Sequence, residues 1–146
     1  MAKAFSIEDG NLVKVPLTSS VTRLYKDIDL TFAKRSSGDI FKKTDAAAVK
    51  QSVKNILMTN PTEKPFDPYF GGGLNEFLFE LSEEFSELDI QEQVAQAIEN
   101  YEPRARVKAV NVSLNPDFNS MTVNVEFTVI TTLENVVLEV DLVRLR

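Results

Sequence analysis

The sequence contains no cysteine, no histidine and no tryptophan among its 146 residues. Without cysteine, the chain has no disulfide framework and no thiolate nucleophile. Without histidine, it lacks the commonest general base and the usual protein ligands of zinc. These absences remove most familiar catalytic arrangements, so we expect a protein that is not an enzyme and that uses no metal or other cofactor.

The chain also lacks a run of 18 apolar residues, which argues against a membrane-spanning helix. Residues 1–11 contain no apolar signal-peptide region, so we expect a protein that stays in the cytosol where it is made and has no membrane partner. The net charge of −6 argues against nucleic acid as a partner, because nucleic-acid binding requires a basic face. Hydrophobic residues make up 43% of the chain, which is enough for one domain with a core.

The N-terminal part of the chain has the pattern of short extended segments. Residues 5–15 surround an Asp-Gly pair and predict a hairpin, which Pro16 ends. Residues 27–32 alternate polar and apolar side chains, so we expect an extended segment with one buried face. The apolar side chains of that face are Ile28, Leu30 and Phe32. Residues 36–39 predict a turn.

Three stretches repeat apolar residues at helical spacing. They are residues 45–58, residues 74 to about 85, and residues 89–100. Asp45 precedes three alanines and is a natural N-cap for the first helix. Asp89 is the expected N-cap of the third helix, with Glu92 in the position that a capping box needs.

The segment between the first two helices is rich in proline and glycine. Residues 61–73 hold three of the six prolines and three of the five glycines, so this segment is neither helix nor central strand. Its three aromatic residues predict a packed loop rather than a flexible linker. Those residues are Phe66, Tyr69 and Phe70. No Lys-Ser/Thr pair follows the glycines, so the nucleotide-binding loop pattern is not met.

After Pro103 the apolar period changes from 3.6 to 2. Residues 110–114, 121–129 and 136–145 alternate apolar and polar side chains, separated by turns. This pattern predicts a three-stranded antiparallel meander with one wet face. We therefore expect an α+β fold in which three amphipathic helices pack on a C-terminal three-stranded antiparallel sheet.

A group of acidic residues offers paired carboxylates, which are the minimum requirement of a glycosidase. The group comprises Glu80, Glu83, Glu84, Glu87 and Asp89. A peptidoglycan muramidase that uses two of them, with Glu80 and Glu84 as the candidates to test, is therefore the alternative function. The residues surround a helix end, which is the usual place of a solvated charged face. Aromatic sugar platforms are limited to Tyr and Phe, so we favour the solvated surface.

Glu102, Pro103 and Arg104 form the joint between the third helix and the first strand of the sheet. Pro103 ends the helix and forces Glu102 into extended geometry, which puts Glu102 and Arg104 on the same side of the chain. One interpretation is a surface pair worth under about 1 kcal/mol. The other is a rigid joint that presents the Arg fork to carboxylates or carbonyls of a partner. Residue chemistry leaves both open.

The sheet has two edges, and the last strand ends at the chain terminus. Its final residues are Leu142, Val143, Arg144, Leu145 and Arg146. Proteins normally block exposed edges because such edges recruit other strands, but a protein that assembles can use one for strand addition. Alternatively, the N-terminal hairpin or residues 28–32 pair at an edge.

Several segments together resemble one family, the baseplate wedge subunits that initiate sheath assembly in contractile-tailed phages, related to TssE of type VI secretion. The resembling segments are residues 27–32, 37–39, 45–59, 63–66, 70–71, Leu74, 78–80 and 102–104. They occur in the order of the family and continue into the sheet, which defines a domain over residues 27–146 and leaves residues 1–26 as an N-terminal extension. One departure is Thr62, where the family usually has Gly.

The resemblance implies a structural protein of the virion tail baseplate, present in the host cytoplasm during assembly. It implies a domain similar to the strand-exchanging part of tail sheath proteins, which provides a template for the sheath. It also implies that Glu102, Pro103 and Arg104 dock on the helical core bundle of the wedge, and that residues 142–146 add a sheath strand. The implied partners are other wedge subunits and the tail sheath protein, with the tail tube as a further candidate. The family has also carried a lysozyme label.

Overall fold

A computed structural model describes residues 25–79 and 87–144 of the chain. The hairpin predicted at residues 5–15 lies outside the described residues, as does the end of the second predicted helix. Leu145 and Arg146 also lie outside them.

The structure contains three helices: α1 (Ala46–Met58), α2 (Leu74–Phe79) and α3 (Glu87–Tyr101). Asp45 precedes α1 as predicted, but its side chain makes no capping hydrogen bond to α1 and its φ is 48°. Its carboxylate instead accepts the N–H of Tyr25 at 3.4 Å. The N-cap prediction for Asp89 is wrong, because α3 begins two residues earlier and Asp89 lies in its first turn. Carboxylates in that turn favour the helix through its dipole.

The C-terminal sheet has three antiparallel strands, as the alternation predicts. They are β3 (Ala105–Asn115), β4 (Ser120–Val129) and β5 (Asn135–Val143), in that spatial order. A 3-10 turn at Pro116–Phe118 joins β3 to β4, and an irregularity between Val107 and Ala109 shifts the register of β3. The meander therefore puts β4 in the centre and leaves β3 and β5 as the outer strands.

One face of this sheet packs against the helices to form the core. The buried side chains of β4 point to that face, and Phe127 is the largest completely buried side chain among the described residues. From α1, Val49, Val53 and Leu57 join this cluster, and α3 contributes its own apolar stripe. The α3 residues of the stripe are Ile90, Val94 and Ile98. The apolar area removed from water here is the main source of stability. No helix among the described residues is long and apolar enough to cross a membrane.

A short arm precedes α1. Its strands, β1 (Lys26–Ile28) and β2 (Lys42–Thr44), pair with each other and with neither edge of the larger sheet. The prediction of an extended segment over residues 27–32 is wrong beyond Ile28, because the N–H of Phe32 donates to the Asp29 carbonyl at 3.1 Å and closes a turn. The prediction of one buried face is also wrong, because the three apolar side chains of residues 28–32 are about half exposed or more. Buried Gln51 of α1 holds the arm instead, since its amide nitrogen donates to the Ile28 carbonyl at 2.8 Å and to Asp27 at 3.1 Å. Polar bonds therefore replace the expected apolar contact.

The loop between α1 and α2 is packed at only one of its three aromatic residues. Phe70 lies against Tyr101 of α3 with 4.9 Å between the ring centroids. Phe66 and Tyr69 are exposed, so the prediction of a packed loop holds for Phe70 alone. The turn predicted at residues 36–39 is present and closes on itself, because Gly38 donates its N–H to the Arg35 carbonyl at 2.9 Å.

Candidate functional site

The Glu-Pro-Arg joint lies where α3 ends and β3 begins. The N–H of Glu102 still donates to the Ile98 carbonyl, and the Glu102 carbonyl accepts the N–H of Ala105. Both ends of the joint are thus tied into regular structure across Pro103. Arg104 donates from Nε and Nη2 to the two carboxylate oxygens of Glu102, at 2.5 and 2.6 Å. The two side chains therefore meet as a two-point ion pair. The extended geometry predicted for this pair is wrong, because the bond from Ala105 to Glu102 closes a turn and β3 begins only at Ala105.

Glu102 is buried, with only 2% of its surface exposed. Burial raises the pKa of this carboxyl group, but hydrogen bonds from Arg104 and Ser52 and the positive charge of Arg104 outweigh burial. The net result is a pKa below the ordinary value of 4.5. Ser52 belongs to α1, so the carboxylate joins α1 to the end of α3. The interpretation as an exposed surface pair is therefore wrong, because the carboxylate is inside the protein.

Arg104 lies at the boundary between this buried carboxylate and the solvent. About 35% of its side chain is exposed, and its guanidinium lies over the ring of Tyr25 at 5.0 Å from the centroid. Glu102 uses two of the five guanidinium N–H donors. The joint is thus a structural clasp among α1, α3, β3 and the start of the arm, and it also presents part of the guanidinium at the surface.

The outer edge of β5 is a second candidate site. The N–H of Arg144 donates to the Asn119 carbonyl on the β4 side, at 3.0 Å. Backbone groups alternate along a strand, so the N–H and C=O of residues 137, 139, 141 and 143 point away from β4. Among the described strands, none pairs with this edge. One of its carbonyls, that of Val137, accepts Nζ of Lys50 at 2.7 Å.

A groove runs beside this edge. The arm forms one wall through Leu30, α1 forms another through Lys50 and Lys54, and β5 contributes Leu138 and Glu139. The groove is open to solvent and reaches β5 at these two residues, on the edge that no described strand pairs with. Part of this edge is therefore accessible between α1 and the arm.

The predicted residues of the terminal strand separate into two groups. The side chain of Leu142 is 5% exposed and belongs to the core, whereas Val143 is exposed. Arg144 follows the strand and continues the pairing with β4 through its backbone. The backbone edge and the Val143 side chain are therefore accessible to a partner, whereas the Leu142 side chain supports the fold.

Two of the five acidic residues considered for a muramidase lie within the described structure. Glu87 and Asp89 are exposed in the first turn of α3, and Glu80, Glu83 and Glu84 lie outside the described residues. Within residues 25–79 and 87–144, no group of three or more acidic side chains is placed to hold a metal ion.

Sequence reasoning missed three residues that shape these sites. Ser52, Tyr25 and Gln51 hold the joint and the arm, but each is an ordinary polar residue in an otherwise regular pattern. Their partners are distant in sequence, so periodicity carries no signal for them. Gln51 lies opposite the apolar stripe of α1, where a polar residue is the ordinary choice, so the helical pattern gives no sign that the arm buries it.

Thr62 occupies a backbone conformation that favours glycine. Its φ is 73°, and its N–H donates to the Pro68 carbonyl at 2.8 Å, which closes the loop. The left-handed conformation costs a residue with a Cβ about 1–2 kcal/mol. The loop thus keeps its tight turn although Thr stands where the resembling family usually has Gly.

Thr62→Gly is expected to raise the free energy of unfolding by about 0.5–1 kcal/mol, because it removes this strain while glycine loses more chain entropy on folding. Chemical denaturation of the purified protein measures the change. Thr62→Ala is the control, since alanine retains the Cβ and therefore the strain. Equal stability of the glycine and alanine variants would contradict the assignment of strain to this position.

The comparison with protein families and known sequences gives a consistent result. The family described as Baseplate wedge protein gp25 matches residues 43–134. The baseplate wedge protein gp25 of Enterobacteria phage T4 is 31% identical over 112 residues, which cover 77% of this chain and 85% of the phage protein. The residues that the family matches include α1, the following loop, the Glu-Pro-Arg joint, β3 and β4, and they end just before β5.

Three solved structures share the fold of this chain. A putative tail lysozyme from Geobacter sulfurreducens has a TM-score of 0.58 at 22% identity, covering 67% of this chain and 89% of that one. A chain of the anti-feeding prophage baseplate has a TM-score of 0.56 at 19% identity, covering 82% of this chain and 85% of that one. A chain of the post-contracted pyocin R2 baseplate has a TM-score of 0.51 at 22% identity, covering 82% of this chain and 99% of that one. At these identities the lysozyme name shows shared fold alone. The chain therefore belongs to the baseplate wedge protein gp25 family of contractile, phage-like tails.

Proposed function

We propose that this protein docks on the core bundle of the baseplate wedge through the Glu102-Pro103-Arg104 joint and templates the tail sheath by strand addition. The observation that carries the first part is the partial exposure of Arg104 above a buried carboxylate. The second part depends on the open outer edge of β5. The tail sheath protein, other wedge subunits and the tail tube are the partners, and assembly takes place in the host cytoplasm.

The joint is preorganised for docking. Glu102 and the Tyr25 ring fix the guanidinium in one orientation, so little side-chain entropy remains to be lost on binding. The guanidinium donors that Glu102 does not use can bind carboxylates or backbone carbonyls of a partner. Pro103 is exposed and restricts the backbone beside them. The joint thus combines a rigid backbone with a directional cation.

Arg104→Lys is the variant that separates docking from folding. Lysine retains the charge opposite Glu102 but loses the planar fork, so the fold persists while two-point binding by the guanidinium is lost. We expect incorporation into wedge complexes to fall by at least about tenfold, which corresponds to the loss of one charged hydrogen-bonded contact. Co-purification with the other wedge subunits measures this effect. Arg106→Lys is the matched control, because Arg106 is an exposed residue of β3. Wild-type incorporation of the Arg104→Lys variant would contradict the docking role.

Strand addition along β5 is supported by the groove beside that edge. An added strand would bind the outward N–H and C=O groups of residues 137, 139, 141 and 143, which gives main-chain affinity. The Lys50 ammonium bonded to the Val137 carbonyl blocks one of these positions in the isolated chain. A lysine beside an open edge is a common protection against premature strand pairing. The same edge can thus stay unpaired before assembly and pair with a sheath strand afterwards.

Glu139→Pro tests this edge directly. Proline removes one outward N–H without removing a hydrogen bond to β4, so the monomer is expected to fold while sheath polymerisation on the baseplate is reduced at least about tenfold. Glu139→Ala removes the same side chain but keeps the N–H, and is expected to behave as the wild type. Electron microscopy of negatively stained particles scores baseplates with and without sheath. Normal sheaths on Glu139→Pro baseplates would rule out strand addition at this edge.

Truncation of residues 142–146 would not test this edge cleanly. Because Leu142 is part of the core, removing it would destabilise the sheet and confuse loss of folding with loss of sheath binding. The contact proposed for this segment is therefore a backbone contact, and the Leu142 side chain has no direct part in it.

A further inference from the structure

The loop between α1 and α2 carries the most exposed aromatic residue of the described chain. Phe66 has a relative exposure of 106%, and Tyr69 is 83% exposed. Both rings project from a loop whose third aromatic, Phe70, is packed on Tyr101. Two exposed aromatic rings on one short loop are unusual for a surface that stays in water, because aromatic residues are enriched at the centres of protein interfaces.

The loop is rigid because its own bonds close successive turns. The N–H of Asp67 donates to the Lys64 carbonyl at 3.3 Å, and the N–H of Phe70 donates to the Asp67 carbonyl at 3.2 Å. The hydroxyl of Tyr101 donates to the Tyr69 carbonyl at 2.6 Å, which ties the loop to the residue directly before the Glu-Pro-Arg joint. The two exposed rings are therefore held on a fixed support, so binding through them has a small ordering cost.

Phe66 occupies a position of its turn that favours glycine. Pro65 precedes it, its φ is 68°, and the turn spans residues 64–67, so Phe66 is the third residue of a turn in which glycine is the ordinary choice. A phenylalanine there carries backbone strain and gains no burial in the isolated chain. Strain without a benefit to the fold indicates that the side chain acts elsewhere.

The charged residues around these rings leave a net negative charge. Lys64 pairs with Asp67 at 3.0 Å and lies over the Phe70 ring at 3.9 Å. The Glu63 carboxylate accepts the backbone N–H and the side-chain amide of Asn60, at 2.8 and 3.0 Å. Both of these donors are neutral, and no described cation forms an ion pair with Glu63. The surface beside the rings thus keeps one negative charge.

We propose that Phe66 and Tyr69 insert into an apolar cleft, bordered by a Lys or Arg, on a neighbouring subunit of the baseplate. The rings supply the buried centre of the contact, and Glu63 meets the basic residue at its border. Because this loop is anchored on Tyr101, the contact would extend the surface of the Glu-Pro-Arg joint. The inference depends on the proposed role as a docking subunit, and it identifies a second contact that does not involve Arg104.

Phe66→Gly separates this contact from folding. Glycine relieves the left-handed strain, so the variant is expected to unfold at the same temperature as the wild type or a higher one. Its incorporation into baseplate complexes is expected to fall at least about tenfold, as for an anchor residue of an interface. The full-length variants are co-expressed with the other baseplate subunits of the same particle and quantified in the purified complex. Phe118→Ala, which removes another exposed aromatic ring at the β3–β4 turn, is expected to incorporate normally.

The outcomes distinguish this contact from the Arg104 contact. If Phe66→Gly incorporates normally and Arg104→Lys does not, the aromatic contact is overturned and the docking role of Arg104 stands. Failure of Phe66→Gly with normal incorporation of Arg104→Lys would support the aromatic contact and remove the Arg104 contact. Normal incorporation of both variants would overturn both.

A crosslinking measurement does not depend on the stability of the variant. A photoreactive phenylalanine analogue placed at position 66 is expected to crosslink to another subunit in the assembled baseplate. No crosslink, or crosslinks only within the chain, would overturn the proposal.

Glu63→Gln tests the negative charge beside the two exposed rings. Glu63→Gln keeps an oxygen that accepts from Asn60 but removes the negative charge. Wild-type incorporation is expected to decrease with added salt more steeply than that of Glu63→Gln, because salt screens exposed ion pairs. Equal salt dependence would overturn the basic border of the cleft.

Discussion

Arg104→Ala is expected to lower the free energy of unfolding by about 2 kcal/mol at neutral pH. The substitution leaves the Glu102 carboxylate buried with Ser52 as its remaining side-chain partner. Breaking a fully buried pair costs about 3–5 kcal/mol, and the smaller figure reflects the exposure of about a third of the Arg104 side chain to water. Chemical denaturation of the isolated chain measures the loss.

The loss should depend on pH in a defined direction. The pKa of Glu102 in the folded wild type is below its ordinary value of 4.5, so the ion pair stabilises the fold fully above that value. This stability decreases as the pH falls through the folded pKa, where Glu102 becomes protonated. The difference between wild type and Arg104→Ala should therefore shrink in acid. The variant Arg104→Ala with Glu102→Gln, which removes the buried charge, is expected to recover part of the neutral-pH stability. A difference that is constant from pH 7 down to acid would contradict a buried ion pair.

Phe127→Ala is expected to lower the free energy of unfolding by about 3–5 kcal/mol. Phe127 is the largest fully buried side chain among the described residues and lies on the central strand, where helices cover one face of the sheet. Its removal deletes the apolar area and leaves a cavity that β4 cannot close, because both neighbouring strands fix its position. Thermal unfolding followed by circular dichroism measures the effect.

The matched control for Phe127→Ala uses the same substitution at the surface. Phe118 is 73% exposed in the turn between β3 and β4, so Phe118→Ala is expected to change stability by less than about 0.5 kcal/mol. Comparable losses from both substitutions would mean that the sheet does not bury its helix-facing side as described.

The regular elements were predictable because local periodicity determines them. The 3.6-residue repeat in residues 45–58 and the alternation in residues 121–129 each reflect one buried face, and the structure has α1 and β4 there. The alternation of residues 28–32 failed for a physical reason. It predicts an extended chain with one buried face, but burial of a face needs an apolar partner. The arm has polar bonds from Gln51 instead, and the chain turns after Ile28.

The candidate site was predictable only in part. The spacing of Glu102 and Arg104 around Pro103 predicted that their side chains meet, and they do, although in a turn rather than in an extended chain. Their burial was not predictable, because it depends on Ser52 and Tyr25, which reach the joint through the tertiary fold. The positive φ of Phe66 and its full exposure are likewise properties of the folded loop.

A cryo-EM map of the assembled baseplate with its sheath attached tests the proposed function most directly. The expected map has a strand of another chain hydrogen-bonded to the outer edge of β5, with the Lys50 side chain displaced from the Val137 carbonyl. It also has another wedge subunit in contact with Arg104. A map in which the edge of β5 is open to solvent and Arg104 contacts no other subunit would contradict the account.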